Sequence, residues 1–166
     1  MAIEIERKFL VKNEDFKKSA KGVFYHQGFL NTVKERVVRV RIVGDKGFLT
    51  VKGITKGAIR TEFEYDIPVD DAIIMLESLC EKPTIKKYRY KIPWGDLFWE
   101  VDEFLDENKD LIVAEIELQH EDQKFTLPDW IGEEVTGDPK YLNSNLVKKP
   151  YSSWDQETCN YSVKKN

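Results

Sequence analysis

The sequence predicts a mainly β fold with a few helices (α+β), its strands closing into a barrel. Three observations predict it. Seven segments alternate apolar and charged residues with the period of two that a strand imposes, and an eighth strand is less clearly phased. Only one stretch carries a sustained apolar stripe at helical spacing. The chain has 166 residues, the size of one domain with its own core, and about eight strands suffice to close a barrel around a small ligand.

The elements follow in order. Residues 3–11 place Glu4, Glu6 and Lys8 opposite mostly apolar neighbours. Residues 13–22 predict a short helix ended by Gly22. Residues 23–31 form a strand in which Gly28 marks a bulge or a close backbone approach. Residues 36–43 set Arg39 and Arg41 against Val38, Val40 and Ile42, and Gly44-Asp45-Lys46-Gly47 turns the chain into a strand at 48–52. There Thr50 and Lys52 oppose Leu49 and Val51, before a turn spanning Gly53 and Gly57. Residues 60–67 alternate most clearly, with Arg60, Glu62, Glu64 and Asp66 opposite Thr61, Phe63, Tyr65 and Ile67. The apolar stripe Ala72, Ile73, Met75, Leu76 and Leu79 predicts a helix over 70–80 capped by Asp70. Strands follow at 84–92, with Lys87, Arg89 and Lys91 on one face, and at 97–104, with Glu100 and Asp102; Pro93-Trp94-Gly95-Asp96 joins them. Residues 112–118 set Glu115 and Glu117 against Ala114, Ile116 and Leu118. A last helix is expected over 139–147, after Asp138. No repeat or linker divides the chain, so residues 1–147 are expected to form one domain. Residues 148–166 are a polar tail whose Tyr151, Trp154 and Tyr161 can dock on the barrel.

Composition narrows the function. Twenty-six Lys and Arg stand against 30 Asp and Glu, a net charge of −4, which argues against a nucleic-acid partner. No apolar run reaches membrane-spanning length and no signal-like segment opens the chain, so no membrane partner and a cytoplasmic setting are expected. Cys80 and Cys159 fit neither a disulfide framework nor a zinc spacing. His26 and His120 are expected on loops or the surface, Cys80 in a buried contact, and Trp94, Trp99 and Trp130 in packing.

The charged faces are rows of one sign: Glu4 and Glu6; Arg39 and Arg41; Glu62 and Glu64; Lys87, Arg89 and Lys91; Glu100 and Asp102; Glu115 and Glu117. A single strand of this kind is usually the wet face of a sheet. Repeated rows of like charge repel, and each calls for a compensating strand or ligand. If the rows point inward, the lumen gathers those acids with the bases Lys8, Arg39, Arg41, Lys52, Arg60, Lys87, Arg89 and Lys91. Helices and long loops then cover the outside. Lys and Arg on facing walls suit a polyanion. Clustered carboxylates suit a hard divalent cation such as Mg²⁺ or Mn²⁺. Together they point to a metal-bound polyphosphate, in the absence of a P-loop or a dinucleotide glycine fingerprint.

Glu4-Ile5-Glu6-Arg7-Lys8 resembles the Glu-x-Glu-x-Lys pattern that opens CYTH domain proteins, the triphosphate tunnel metalloenzymes. The resemblance continues through Gln27-Gly28-Phe29-Leu30, Arg39-Val40-Arg41, Thr50-Val51-Lys52-Gly53 and Arg60 to Tyr65. Further on it takes in Lys87 to Tyr90, Trp99 to Asp102, Ala114 to Leu118, Trp130 to Thr136 and Tyr141 to Ser144. It implies a closed eight-stranded antiparallel β tunnel that cleaves a small-molecule triphosphate with Mg²⁺ or Mn²⁺. Carried over by position, Glu4, Glu6 and Glu117 resemble the metal carboxylates. Lys8, Arg39, Arg41, Lys52, Arg60, Lys87 and Arg89 resemble the phosphate ligands. Glu62, Glu64, Asp102 and Glu115 resemble second-metal or water-orienting groups, and Lys8 and Lys87 are also counted as catalytic. One departure stands out: Phe29 occupies a position where many relatives have tyrosine, and only Tyr25 on the same face offers a phenol.

Inorganic tripolyphosphate is the expected substrate, hydrolysed in line to diphosphate and phosphate. The alternatives are a nucleoside or thiamine triphosphatase, a class IV-type adenylyl cyclase, and a polyphosphate-binding module without turnover. Binding alone needs only the bases, whereas this sequence also supplies the acids. Oligomeric state is not legible from these residues.

Overall fold

The computed structural model describes residues 3–154. Eight strands fall where the sequence places them: β1 (Ile3–Val11), β2 (Val23–Asn31), β3 (Val37–Val43), β4 (Lys46–Lys52), β5 (Ile59–Ile67), β6 (Ile85–Trp94), β7 (Leu97–Phe104) and β8 (Ile112–Glu117). All pair antiparallel, in the order β5-β4-β3-β2-β6-β7-β8-β1. β1 closes the barrel by pairing with β8 along one edge, Glu6 opposite Glu117, and with β5 along the other, Glu4 opposite Arg60. Closure leaves no free sheet edge there. Two-residue turns at Gly44-Asp45 and Gly95-Asp96 join β3 to β4 and β6 to β7. Each starts in the left-handed region, at φ +60° and +61°, which only glycine enters freely.

Several elements differ from expectation. A ninth strand, β9 (Ile131–Glu134), joins the edge of β1 beyond its contact with β5, Ile131 opposite Val11. The helix expected over 13–22 is one 3₁₀ turn, Asp15–Lys18, capped by Ser19 rather than Gly22. Only Phe16 in it is buried, so no apolar stripe sustains a longer helix. Helix α1 (Val69–Ile74) starts directly after Pro68, with Asp70 and Asp71 in its first turn and no side-chain cap; Asp70 is therefore not the cap. It continues into a wider turn, Met75–Leu79, where the Cys80 N–H reaches the Met75 carbonyl at 2.8 Å. That turn seats Leu76 and Cys80 over Gly28, where an added Cβ would lie 2.9 Å from the Cys80 Cβ. Gly28 is thus the close approach, and the bulge falls between Phe29 and Asn31.

Three apolar clusters hold the barrel. Outside β1, β7 and β8, Phe9, Trp99 and Ile116 are covered by Phe16, Trp130 and the partly buried Phe125. Outside β3, Val40 packs under Ala72, Leu76 and Cys80 of the α1 segment. On the β5 outer face Ile67 packs against this cluster but Phe63 and Tyr65 are exposed, Tyr65 by 57%, so the expected cover is incomplete. The third cluster closes one end of the barrel. There the inward-facing Leu10, Phe29, Val37, Ile85, Phe104 and Val113 meet Leu146 and Val147 of helix α2 (Asn143–Lys148), with Tyr141, Tyr151 and Trp154 beside them. α2 is therefore a plug across the end rather than a helix on the outer wall. Tyr151 and Trp154 of the predicted tail dock, while Tyr161 and Cys159 lie outside the described residues. No helix among the described residues is long and apolar enough to cross a membrane.

Candidate active site

Above the plug the lumen is a cavity of about 510 Å³. Because side chains alternate along a strand, each charged row points into it. Glu4, Glu6, Lys8, Arg39, Arg41, Lys52, Arg60, Glu62, Glu64, Lys87, Arg89, Glu115 and Glu117 all line it, with Glu100, Tyr25 and Phe29. Of the expected site residues, Asp102 alone stands behind the lining. Lys91 is exposed at the rim, its ammonium 4.7 Å from the centre of the Phe98 ring.

The walls differ in charge. β2, β3 and β6 carry no acid in the lining and supply Arg39, Arg41, Lys87 and Arg89; β1, β5, β7 and β8 supply every carboxylate. Asp102 anchors the basic wall. It accepts from Lys87 Nζ at 2.8 Å, Arg89 Nε at 2.7 Å and Arg89 Nη2 at 2.9 Å. Despite burial, these two cations hold its carboxyl well below the usual range. With both oxygens engaged, Asp102 is a cation anchor and not an open metal ligand. Burial pulls Lys87 down to about 7 against the attraction of Asp102, with Arg89 and Arg41 pushing the same way as burial. Arg89 is driven up instead, because Asp102 outweighs its burial.

A hydrogen-bond chain continues across the floor. Lys87 Nζ donates to Asn143 Oδ1 at 2.9 Å, Gln27 Nε2 donates to the same oxygen at 2.7 Å, and Arg41 Nε donates to Gln27 Oε1 at 2.8 Å. Gln27 is wholly enclosed and Asn143 opens α2, so the plug is bonded to the basic wall. Sequence reasoning left both out of the site. Their only signal was membership of the Gln27-Gly28-Phe29-Leu30 and Tyr141-Leu142-Asn143-Ser144 matches, since an uncharged amide adds nothing to a row of charges. The Tyr25 ring sits between Arg41 and Arg89, 4.9 Å from each guanidinium carbon. This cation–π stacking separates two like charges. Phe29 is packed into the plug cluster and offers no proton.

The acidic wall is only partly compensated. Lys8 meets Glu115 at 3.5 Å, and Lys52 meets Glu4 at 3.2 Å and Glu62 at 3.5 Å. Glu64 accepts from Arg39 at 3.4 Å and from Thr50 at 3.0 Å. Burial, then repulsion from Glu115 and Glu4, pushes Glu6 well above the ordinary carboxylate value. Burial raises Glu4 and Glu117 too, each aided by neighbouring carboxylates. Against its burial, Glu115 is lowered by Lys8, Arg89 and Lys87 together. Glu4, Glu6 and Glu117 thus share one cavity, with Glu6 opposite Glu117, and Lys52 on Glu4 makes the one ion pair to them among the described residues. An oxygen-only donor set with uncompensated repulsion fits a hard divalent cation. Among the described residues, no three acidic, His or Cys groups converge closely enough to hold an ion as they stand.

On β5, Arg60 Nε donates to the Gly53 carbonyl at 2.8 Å. Arg39 Nε is buried without a hydrogen-bond partner among the described residues, a cost that an arriving oxyanion would remove.

The CYTH domain pattern matches residues 2–151. A protein of Acetivibrio thermocellus named inorganic triphosphatase is 56% identical over 156 residues, covering 94% of this chain and 100% of its own. One of the same name from Nitrosomonas europaea is 40% identical over 150 residues, covering 87% and 96%. A crystal structure of an inorganic triphosphatase superposes with a TM-score of 0.64 at 34% identity, covering 89% of this chain and 95% of that one. The nearly chain-long match and the charged, closed tunnel agree: this chain belongs to the CYTH domain family.

Proposed function

We propose that the protein hydrolyses inorganic tripolyphosphate to diphosphate and orthophosphate, using Mg²⁺ or Mn²⁺, as a cytoplasmic enzyme. One observation carries this reading: a closed lumen in which a wall of arginines and lysines faces a wall of under-compensated carboxylates. Arg39, Arg41, Lys52, Arg60, Lys8, Lys87 and Arg89 bind the phosphate oxygens and align the chain along the tunnel. Glu4, Glu6 and Glu117 would hold a divalent cation, which neutralises charge on phosphate oxygens when bound. A carboxylate of the acidic wall, from the group Glu62, Glu64 and Glu115, orients a water against a terminal phosphorus and accepts its proton. The water oxygen bonds to phosphorus as the bridging P–O bond breaks. Diphosphate leaves with the bonding electrons, its charge balanced by the Lys87 and Arg89 side. The names of the relatives support tripolyphosphate as the first substrate to try.

The test is phosphate release from tripolyphosphate with Mg²⁺, with Mn²⁺ and with chelator, beside ATP and thiamine triphosphate. Metal-dependent release, fastest from tripolyphosphate, is expected. Faster release from ATP or thiamine triphosphate would overturn the choice of substrate. No turnover with any of them would overturn the enzyme reading in favour of a binding module.

A further inference from the structure

A second cavity, of about 320 Å³, lies beside the plug. Lys8, Arg60, Glu6, Leu142 and Ser144 line it as well as the main cavity, so a partition one side chain thick separates the two. Its far side is built by the loop between β4 and β5, the loop after β9 and the start of the β2–β3 connection. Lys34, Ile54 and Gly57 there are exposed, so this rear chamber reaches solvent, whereas Lys8, Arg60 and Ser144 on the partition are buried. The α2 plug therefore covers only part of the barrel end.

The two ways out differ in charge. Seven carboxylates and seven cations line the front cavity, and of those carboxylates only Glu6 also lines the rear chamber. Three cations line the rear chamber, Lys8, Arg60 and Lys34, against two acids, Glu6 and Asp138. Of the acids, Asp138 already accepts from the Lys140 backbone N–H at 3.2 Å. Hydroxyls of Thr32, Thr55 and Ser144 also line the chamber. An oxyanion therefore finds one positive charge in excess in the rear chamber and no excess in the front lining. Apolar Val37, Ile54 and Leu142 complete the walls.

We infer that the rear chamber binds orthophosphate and is its way out, so that the two products leave by opposite ends. Hydrolysis frees one phosphate while diphosphate still occupies the tunnel. With a single mouth the deeper fragment must wait; the chamber removes that order. The inference rests on the triphosphatase reading for the source of the phosphate, but binding at the chamber can be read without turnover.

Inorganic phosphate is titrated calorimetrically into the full chain in chelator, with and without saturating tripolyphosphate. The wild type is expected to bind phosphate in both cases. Lys34→Glu and the chamber-filling Thr55→Trp should each weaken binding by about tenfold, the worth of one charge-assisted contact. In the metal-containing assay, phosphate should inhibit the wild type non-competitively against tripolyphosphate and inhibit both variants less. Phosphate that binds only when tripolyphosphate is absent, or that binds both variants as it binds the wild type, would overturn the inference. A chain that never hydrolyses tripolyphosphate but shows the chamber titration would overturn the proposed function and leave the site standing.

Discussion

Lys87 is enclosed between Asp102, Asn143 and the Phe104 ring, with Arg89 and Arg41 as like-charged neighbours. Its ammonium titrates at about 7 in the free protein, and a bound polyanion favours the charged form. Affinity is therefore full below pH 7 and falls as pH rises through the window between the free value and the higher bound one. Dissociation constants for tripolyphosphate in chelator, measured from about pH 6 to about pH 9, should show this fall. Lys87→Arg, which stays charged, should flatten it; an unchanged slope would assign the titration elsewhere. Asn143 acts through Lys87. Asn143→Leu should weaken affinity at neutral pH, and Asn143→Asp should move the fall to higher pH. Glu6 presents the opposite case, a half-buried carboxylate raised by desolvation and by repulsion from Glu115 and Glu4. Glu6→Gln should cost about a hundredfold or more in turnover, the scale of one preorganised electrostatic group, yet raise Tm. Turnover equal to wild type under saturating metal would remove Glu6 from the site. These charged residues were legible because like charges two apart on a strand need an answer. Asn143 and Gln27 were not, because an amide at an inward position carries no such demand.

Among the elements, the plug gives the clearest test. Leu146 is fully enclosed at the barrel end. Leu146→Ala should lower stability by about 2–5 kcal/mol, the usual cost of an emptied core site, read as a drop in the urea midpoint at unchanged slope. If α2 instead dissociated from the barrel, the slope would change as well. Gly28→Ala tests the seat of the wide turn, where the opposing atom is the stiff Cys80 Cβ. The strain should cost about 1–3 kcal/mol. The element reading succeeded where alternation ran for five residues or more. β9 escaped it because Ile131-Gly132-Glu133-Glu134 is short and does not alternate. Its place is decided by the unpaired edge of β1, far away in sequence. The expected first helix shrank to a turn for a related reason: Phe16 alone could be buried against Tyr90 and Trp130.

At the scale of the whole molecule, a divalent cation should stabilise the fold even without substrate. Binding to the native acidic wall alone adds stability that grows with the logarithm of cation concentration. Mg²⁺ or Mn²⁺ should raise Tm, and the rise should disappear in a Glu4→Gln, Glu6→Gln double variant. A rise that persists would place the ion elsewhere. The inward direction of the charges was legible at this scale, because so many one-signed rows cannot all face water without mutual cost. The closed end was not, since it depends on how α2 meets six inward apolar residues from six strands. Closure also sets an order in time. β1 leaves the ribosome first, yet its partners are β5, β8 and β9, and Arg7 is bonded to Glu134. The barrel cannot close until the chain has been made past β8. Such long-range pairing makes for slow folding with a late transition. Glu4, Glu6 and Lys8 ride on β1 while Glu115 and Glu117 ride on β8, so these side chains come together only once both strands are made and paired. A chain cut before β8 should therefore lack the assembled lumen.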